Sequence, residues 1–412
     1  MVYQMKSSTG SCYDLIIVGG GIYGACLALE SARRGLRALL IEKEDVGQQT
    51  SANTLRILHG GLRYLQSFDL HRFRESVGEQ SWFLREFPHL VRPLGFMMPL
   101  YGRGLRRPAI FRLALRLNDH LSRRRNDKVR VDRQLPRSEV LSADATLGLF
   151  PDAVRQGLCG GALWYDAIML NGQQIISEIV DSACRLGGTC ARHVEATRLL
   201  HDRGRVVGIE AVERRSQNVV QCEAPIVVNC AGPWCRELAK SFDRDIPKLF
   251  RPSLAFNLLL DRPPLSPVGL AVSPQRQPGR TVFLTPAGDC ILAGTYHAPW
   301  SGPIGNPIPT QTHVDAFLQE LNAAVPRVRF TRTDVVRVDT GLVPAVAAGS
   351  MRTASRPVIF DHGSTGCPRG LFSVSGVKFT TARSVAARTL RQIFHVRYLD
   401  EISHSQPTVA TT

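Results

Sequence analysis

Residues 14–24 read Asp-Leu-Ile-Ile-Val-Gly-Gly-Gly-Ile-Tyr-Gly, and this stretch decides the fold. Its apolar half predicts a buried parallel strand, and Gly19, Gly21 and Gly24 then satisfy the pattern G-x-G-x-x-G. The first glycine permits a tight turn, the second lets the backbone approach a pyrophosphate, and the third lets helix and strand pack closely. Because free N–H groups at the start of a helix favour an anion, the stretch predicts a dinucleotide site.

The residues that follow complete a βαβ unit. We expect a helix over residues 22–34 and a second strand over residues 36–42. Glu42 ends that strand, where a carboxylate accepts hydrogen bonds from ribose hydroxyls, and the neighbouring Lys43 does not overturn this role. The unit predicts an α/β fold with a Rossmann-like nucleotide-binding domain, but it does not distinguish FAD from NAD.

The composition is that of a globular protein whose charge favours anionic partners. The 412 residues are 44% hydrophobic and 21% charged, and no apolar run reaches the roughly 18 residues of a membrane span. The polar start of the chain lacks the apolar core of a signal peptide, and the ten cysteines form no CxxC pair. These features predict reduced thiols, no metal site and a cytoplasmic location. The net charge of +16 suits nucleic acid, an anionic membrane surface or a phosphorylated substrate.

Strand and helix patterns alternate along the rest of the chain. We expect an arginine-rich helical stretch over residues 70–128, an amphipathic helix over 171–187 and a hairpin within 195–213. Residues 225–229 predict another parallel strand, and residues 371–394 predict a strand, a glycine turn and a closing helix. Strands suited to the nucleotide-binding domain thus occur at both ends and in the middle of the chain, which indicates that a substrate lobe is inserted between them.

Three separate blocks of sequence are similar to one known family. They are His59-Gly60-Gly61-Leu62-Arg63-Tyr64-Leu65, Val227-Val228-Asn229-Cys230-Ala231-Gly232-Pro233-Trp234 and Gly376-Val377-Lys378-Phe379-Thr380-Thr381-Ala382-Arg383. In this order they resemble the FAD-dependent glycerol-3-phosphate dehydrogenases, within the wider D-amino-acid-oxidase-like flavoprotein superfamily, and the resemblance covers residues 13–395. It implies hydride transfer from a secondary alcohol to flavin N5, with quinone or oxygen as the electron acceptor.

The resemblance also implies an architecture, a Rossmann-like FAD-binding domain interleaved with a mixed α+β substrate domain. Because the chain ends soon after the closing helix, it implies that the C-terminal helical domain of many family members is absent. The expected division is into FAD-binding parts at 13–95, 176–245 and 346–398, a substrate lobe with a basic helix at 96–175, a substrate-domain sheet at 246–345 and a disordered tail at 399–412.

Cofactor contacts are implied for the glycine turn, the second strand and the three blocks. The N–H groups that follow Gly376 would face the flavin N1/O2 edge, where negative charge develops on reduction. Thr50, Ser51 and Asn53 would lie near the phosphates or would belong to an ordinary capped loop, and His59 would approach the isoalloxazine ring or be structural. The candidate FAD-binding residues are Gly19, Gly21, Gly24, Glu42, Lys43, Thr50, Ser51, His59, Gly60, Gly61, Val194, Ala231, Gly232, Gly376, Lys378, Phe379 and Thr380.

On the substrate side the sequence departs from the family. A histidine that would serve as base is replaced by Leu254, and an arginine suited to phosphate is replaced by Val343. Valine cannot grip a phosphate as arginine does, so the substrate would carry less phosphate or would be an amine. His297 stands where the family has an aspartate, and it would either replace the missing base or be a loop residue. The candidate catalytic residues, two of which match the family, are His59, His297, Arg356 and Lys378.

One arginine-rich helix, predicted over residues 108–121, has two interpretations. Arg112 and Arg116 lie on one face, opposite an apolar face. In the first interpretation the helix lies on anionic lipid, peripheral on the inner membrane face and within reach of a quinone acceptor. In the second its apolar face packs on the core. Nucleic acid is not expected as a partner, because the arginines are not interleaved with aromatic residues. The apolar positions are Ile110, Leu113, Ala114, Leu117 and Leu121.

Three functions remain open from the sequence. The first is an FAD-dependent dehydrogenase or oxidase of a small secondary alcohol, glycerol 3-phosphate or a related hydroxy compound, with Arg356 and Lys378 positioning an anionic substrate. The second is an amine or amino-acid oxidase of the same superfamily. The third is a flavin-binding protein without turnover, which Leu254 and Val343 suggest.

Overall fold

The structure is a computed structural model that describes residues 13–102, 104, 107–274, 279–366 and 368–394. In chain order, the strands are β1 (Leu15–Val18), β2 (Ala38–Glu42), β3 (Ile57–Leu58), β4 (Val91–Leu100), β5 (Glu139–Leu141), β6 (Gly160–Met169), β7 (Thr189–Arg192), β8 (Val194–Asp202), β9 (Arg205–Glu213), β10 (Val219–Glu223), β11 (Val227–Asn229), β12 (Pro252–Leu260), β13 (Gly269–Val272), β14 (Val282–Ala287), β15 (Cys290–Pro299), β16 (Val335–Pro344), β17 (Val358–Asp361) and β18 (Leu371–Ser375). The helices are α1 (Ile22–Ala32), α2 (Leu62–Leu65), α3 (Leu70–Glu86), α4 (Pro108–Leu121), α5 (Ala143–Leu149), α6 (Gly172–Arg185), α7 (Cys235–Phe242), α8 (Gln311–Ala324) and α9 (Ala382–Phe394).

A mainly parallel sheet of six strands contains the predicted nucleotide-binding unit. Its order is β17-β18-β11-β1-β2-β7, and β17 runs antiparallel to β18. All four residues of β1 are buried, as expected of a central strand that is covered on both faces. α1 follows β1 directly and packs against α6 and α9. The predicted βαβ unit, the parallel strand β11 and the closing helix α9 are therefore confirmed.

A three-stranded antiparallel sheet, β10-β9-β8, covers the other face of the parallel sheet. Strands β8 and β9 form the predicted hairpin. The predicted amphipathic helix is α6, which begins after Asn171, because the Asn171 side chain accepts a hydrogen bond from the N–H of Gln174 at 3.0 Å. Its apolar stripe, which includes Ile175 and Ile179, is buried in the core around α1.

The second large sheet has nine strands and lies beside the first. Its order is β16-β12-β15-β14-β13-β4-β6-β3, with β5 also paired to β6. One face packs on α8, where the ring of Phe317 lies 5.8 Å from that of Phe256 and 5.3 Å from that of Tyr296. The opposite face of β16 contacts residues 50–53, so this sheet borders the region between β2 and β3.

The prediction of one helical stretch over residues 70–128 is wrong. α3 ends at Glu86, next to Phe87-Pro88, and a residue before proline is biased away from helical backbone. β4 follows and pairs with β6 along its whole length, from Val91 opposite Met169 to Leu100 opposite Gly160. The high arginine content on both sides of β4 concealed an apolar run of strand length.

α4 begins at Pro108, as predicted, but its apolar residues are not covered by the core. Leu113 is 70% exposed, Leu117 is 44% exposed and Ile110 is 40% exposed. The helix instead buries Leu115 and Asn118 against the rest of the molecule. The interpretation of α4 as a surface helix whose apolar face packs on the core is therefore wrong for these three residues.

The division into domains stays a prediction. The FAD-binding parts expected at 176–245 and 346–398 contribute strands to the six-stranded sheet, but β3 and β4, within or across the expected part at 13–95, belong to the second sheet. The tail expected at 399–412 lies outside the described residues. In the described part of the chain, no helix combines the length and the apolar character needed to cross a bilayer.

Candidate functional site

Two glycines of the glycine turn leave no space for a side chain. At Gly19, with φ +109°, a Cβ would lie 2.6 Å from the carbonyl oxygen of Cys230. At Gly24 a Cβ would lie 1.9 Å from the carbonyl oxygen of Gly19. Both neighbours are backbone atoms that cannot rotate away, so the close packing of β1, α1 and the segment after β11 requires these glycines.

The start of α1 meets two of the predicted polar residues. The N–H of Ile22 donates to the Ser51 hydroxyl at 3.2 Å, while the N-cap, Gly21, provides no side-chain cap. Glu42 accepts from the N–H of Gly20 at 2.6 Å and from the N–H of Glu44 at 2.9 Å, so its carboxylate is held beside the turn. A helix start without a side-chain cap, a serine and a carboxylate form the donor and acceptor set that a dinucleotide requires. These residues fit FAD.

Tyr23, in the first turn of α1, joins the glycine turn to the C-terminal block. Its hydroxyl donates to the carbonyl of Lys378 at 2.8 Å and accepts from the N–H of the same residue at 3.0 Å. A Cβ at Gly376 would lie 1.7 Å from the Tyr23 ring, so the block can approach α1 only with glycine at that position. The Lys378 ammonium donates to the hydroxyl of Tyr64, in the first of the three blocks, and lies 4.4 Å from the centre of its ring.

The other predicted cofactor residues occupy the same end of the parallel sheet. The Lys43 ammonium lies 4.1 Å from the centre of the Trp234 ring, which connects the end of β2 to the segment Ala231–Trp234 after β11. Gly232 has φ +55°, a left-handed conformation. Phe379 packs at 5.8 Å from Phe83, and Thr380 is buried. The side chain of Val194 is buried in the core, so only its backbone is available to a ligand.

Thr50 and Asn53 contact the second sheet instead of the glycine turn. The Thr50 hydroxyl donates to the carbonyl of Leu342 at 3.2 Å, and the Asn53 amide donates to the carbonyl of Thr340 at 2.7 Å. Of the three polar residues expected near the phosphates, Ser51 alone bonds to the start of α1. A cavity of about 100 Å³ lies at this junction, between the Thr50 loop, Trp234 and the end of β16.

Strand pairing decides which face each substrate-side residue occupies. Ala255 of β12 lies opposite His297 of β15 and opposite Gly341 of β16. Opposed residues of antiparallel strands point to the same face, and so does Val343, two residues after Gly341. A Cβ at Gly341 would lie 2.9 Å from the Thr50 side chain, so this face is turned towards Thr50. We call the face formed by Ala255, His297, Gly341 and Val343 the site face.

Leu254 does not belong to the site face. It is fully buried and lies in the core with Phe256, Phe317 and Leu342, on the α8 side of the sheet. The interpretation that Leu254 takes the place of a base in the site is therefore corrected, because alternation along β12 directs this side chain away from the site face.

His297 is desolvated, and one of its ring nitrogens has no hydrogen-bond partner among the residues that the structure describes. Its Nδ1 atom is buried and unpaired. Burial, with a smaller contribution from the positive charge of Arg280, lowers the pKa of His297 to about 4. Arg280 is itself paired with Glu320 through two hydrogen bonds of 2.7 Å. His297 is therefore a neutral imidazole at pH 7.

His59 has a partner that sequence reasoning missed. Its Nδ1 lies 3.1 Å from a carboxylate oxygen of Asp166, a buried residue of β6, and its ring lies 5.4 Å from that of Phe283. Burial alone would raise the pKa of Asp166, but hydrogen bonds with His59, Gly60 and Trp164 lower it, so Asp166 is an anion. Nothing in the sequence pattern singled out Asp166, because it lies inside an apolar strand 107 residues from His59.

Arg356 is not brought to the other candidates by any bond. It is exposed in the segment between β16 and β17. Within the described residues, no hydrogen bond or ion pair joins Arg356 to His59, His297 or Lys378. The structure thus joins Lys378 to Tyr64 and to Tyr23 at the start of α1, and it places His59 beside Asp166 of β6. His297 and Val343 lie on the site face, and Arg356 lies at the surface.

The chain is similar to several flavoproteins of known type. It is 32% identical over 343 residues to an alpha-glycerophosphate oxidase of Streptococcus pyogenes serotype M1, a match that covers 82% of this chain and 55% of the oxidase. The chain thus spans about half the length of that relative. The fold is that of a glycerol-3-phosphate dehydrogenase of Bacillus halodurans solved with FAD, with a TM-score of 0.70 and 22% identity, over 94% of this chain and 65% of that one.

A glycine oxidase of Geobacillus kaustophilus has the same fold, with a TM-score of 0.62 and 16% identity, over 97% of this chain and 96% of the other. The model of the FAD dependent oxidoreductase family called DAO matches residues 14–389. This match covers all three blocks, the glycine turn and both large sheets. The chain therefore belongs to the DAO family of FAD-dependent oxidoreductases, and FAD is its cofactor.

Proposed function

We propose that this chain oxidises a small secondary alcohol, glycerol 3-phosphate or a related hydroxy compound. The observation that carries the proposal is a pair of groups in contact with or within residues 59–65, namely the imidazole of His59, backed by the buried carboxylate of Asp166, and the ammonium of Lys378, bonded to Tyr64. An alcohol oxidation needs a base for the hydroxyl proton, and an anionic substrate needs a cation. This pair supplies both.

FAD, when bound, supplies the acceptor for the hydride of the substrate C–H bond. The glycine turn, Ser51 and Glu42 would hold its pyrophosphate and ribose, and the backbone after Gly376 would meet its flavin end. The residues of the chain supply the rest of the chemistry. Lys378 would bind the anionic group of the substrate, and His59 Nε2 would take the hydroxyl proton as the hydride leaves.

His297 is poorly suited to act as the base. A general base works best when its pKa is near the working pH, whereas the pKa of His297 is lowered to about 4. Since one pKa unit is about 1.4 kcal/mol, protonating His297 at pH 7 would cost about 4 kcal/mol. Asp166, by contrast, stabilises positive charge on His59. We assign proton removal to His59 and a desolvating, shape-defining role to His297.

Val343 lies on the site face, at the position where the family pattern has an arginine. We therefore expect a substrate whose binding depends less on phosphate recognition than the family pattern implies. A valine offers no hydrogen bond to a phosphate, and Arg356 is exposed in the described structure. Lys378 would then be the main cation for the substrate's anionic group, as a point charge without bidentate geometry. A hydroxy acid or a singly charged ester fits this arrangement as well as glycerol 3-phosphate.

Two other functions compete with the proposal. An amine or amino-acid oxidase would use the same FAD-binding fold. This function stays a candidate because the chain shares its fold with a glycine oxidase. A flavin-binding protein without turnover would not need the buried Asp166 beside His59, so the His59–Asp166 contact speaks against it. The electron acceptor is quinone or oxygen, and the assay described next identifies which of the two it is.

The test is anaerobic reduction of the flavin in the purified holoprotein. We expect bleaching with glycerol 3-phosphate or a 2-hydroxy acid, and loss of most of that rate in His59→Gln. Bleaching by glycine or proline alone would establish the second function, and no bleaching by any of these compounds would establish the third. Re-oxidation of the reduced protein by air or by a soluble quinone then identifies the acceptor.

We further propose that α4 attaches the protein to an anionic membrane surface, at the cytoplasmic face. The exposed Ile110, Leu113 and Leu117 share one face of α4 and the exposed Arg112 and Arg116 occupy another, which is the pattern of an interfacial helix. Co-sedimentation with vesicles that contain anionic lipid measures it. Leu113→Glu should weaken binding several-fold, whereas Val131→Glu, at an 87% exposed position outside α4, adds the same charge and should have a smaller effect.

A further inference from the structure

Asp166 is a buried carboxylate whose two oxygens both have hydrogen-bond partners. It lies in β6 and is 5% exposed. One oxygen, Oδ1, accepts from the N–H of Gly60 at 2.6 Å and from the amide of Gln80 at 3.0 Å. The other, Oδ2, lies 3.1 Å from His59 Nδ1 and accepts from the Trp164 indole at 3.3 Å.

The two oxygens have different tasks. Oδ1 fixes the backbone of the His59 block and its contact with α3, because Gln80 also donates to the carbonyl of Leu58 at 2.6 Å. Oδ2 meets the ring of His59, whose side chain is 49% exposed and therefore open to a ligand. A carboxylate at Nδ1 keeps the proton on that nitrogen and leaves the lone pair on Nε2.

We infer that Asp166 is a positioning residue that fixes the orientation and tautomer of His59 so that Nε2 is the proton acceptor. This inference rests on the proposed function, which assigns proton removal to His59. The logic is that of a carboxylate–histidine pair, in which the acid orients the imidazole and stabilises the imidazolium without taking the proton itself. The proton is then accounted for within the pair, since the hydroxyl proton passes to Nε2 and the Nδ1 proton stays in place, while bound FAD would supply the acceptor for the hydride.

Charge around the pair agrees with this role. Arg125, in the segment after α4, also interacts electrostatically with Asp166, although its ion-pair partner is Asp119 at 3.3 Å, and burial lowers the pKa of this arginine. Its own hydrogen bonds go to Ser122 and to the carbonyl of Pro136, so it doesn't take the Asp166 oxygens from His59. Asp166 is therefore free to act on the imidazole.

Asp166→Asn is the sharpest change, because it keeps the size of the side chain. The amide oxygen would remain with Gly60 and Gln80, which both donate. The amide NH₂ would then face His59 Nδ1, which would have to accept a hydrogen bond and move its proton to Nε2. The altered tautomer removes the lone pair from the position that the substrate reaches.

The experiment compares three variants of the holoprotein with the wild type. Asp166→Asn should retain FAD and lower the rate of flavin reduction by about 1,000-fold, with little change in substrate affinity. Gln80→Leu removes a partner of the same carboxylate that doesn't touch the imidazole, and its rate should stay within about 10-fold of the wild type. In the double variant His59→Gln/Asp166→Asn, the loss should not exceed that of His59→Gln alone.

A second readout does not depend on turnover. With nitrogen-15-labelled histidine, long-range proton–nitrogen NMR spectra, with His59 identified by comparison with His59→Gln, should show the proton on Nδ1 in the wild type. In Asp166→Asn the proton should be on Nε2. The inference is overturned if the tautomer is the same in both proteins, or if Asp166→Asn reduces flavin at the wild-type rate. If no alcohol bleaches the wild-type protein, the proposed function fails, whereas the tautomer measurement still decides the role of Asp166.

Discussion

The cofactor side and the site face of this protein are built in different ways. Around the glycine turn, the contacts are made by backbone groups and by glycines whose Cβ positions overlap neighbouring main chain, such as Gly24 and Gly19. On the site face, the contacts are made by side chains such as His297 and Val343 that project from regular strands. In a site built from backbone groups, the replacement of one residue displaces its neighbours. A strand, in contrast, accepts a new side chain with no change of fold. This difference gives a physical reason why the FAD site should tolerate fewer substitutions than the site face.

Replacing Gly24 by valine should have the largest effect, because it tests the backbone side of this comparison. A Cβ there would lie 1.9 Å from a carbonyl oxygen, and neither α1 nor the turn has space to retreat. We expect loss of bound FAD and a loss of folding stability of more than about 4 kcal/mol, measured by flavin absorbance per protein and by urea unfolding.

Gly78→Val is the matched control for this change. Gly78 is also helical, in α3, and has no heavy atom within 4 Å of its Cβ position. Flavin content should stay at the wild-type level in this variant. Retention of FAD by Gly24→Val would show that the turn is not the backbone site described above.

Lys378→Met tests a side chain that joins the C-terminal block to the segment of Tyr64. Its ammonium bonds to Tyr64 while its backbone bonds to Tyr23. Removing a charge that binds an anionic substrate costs roughly 2–5 kcal/mol, so kcat/KM for an anionic alcohol should fall at least about 30-fold. Tyr64→Phe keeps the ring and removes a single hydrogen bond, so kcat/KM for the same substrate should fall by about 5-fold. An equal loss with uncharged glycerol as substrate would contradict the role of Lys378 as anion binder.

Val343→Arg tests whether the site face sets the preference for phosphate. An arginine on this face can make charge-assisted hydrogen bonds, which are worth about 1.5–3 kcal/mol. The ratio of kcat/KM for glycerol 3-phosphate to that for glycerol should therefore rise by about 10-fold or more. Val346→Arg adds the same charge at a position that is 45% exposed and beyond the end of β16, and the ratio should not change. An equal rise in both variants would mean that only the net charge matters.

The same contrast separates what was predictable from the sequence from what was not. The glycine turn, β2 and the segment after Gly376 follow from local patterns, because a backbone site requires particular residues at particular spacings. Asp166 was missed because its bond to His59 joins β6 to a segment 107 residues away. Leu254 was misjudged because a motif alignment does not say which face of a strand a residue occupies, and pairing with β15 and β16 decides that. The prediction of one helix over residues 70–128 was wrong at β4, because the arginine-rich composition was given more weight than the periodicity of the apolar residues.

The desolvation of His297 has an effect on stability that depends on pH, and this effect sharpens the contrast by measuring how far water is excluded from the site face. The pKa of this histidine falls from 6.5 to about 4 in the folded protein, mainly through burial. Between these two values the unfolded chain binds more protons than the folded one, so stability rises with pH in this window and is lost as pH falls below 6.5. At pH 5 the loss amounts to about 2 kcal/mol, and His297→Gln should not show it. Urea unfolding at pH 7 and pH 5 should therefore show the stability of the wild type falling relative to that of His297→Gln, whereas His71→Gln, at an exposed position, should follow the wild type. A constant difference between wild type and His297→Gln at both pH values would mean that His297 is hydrated, and the site face would then be open to water before any substrate binds.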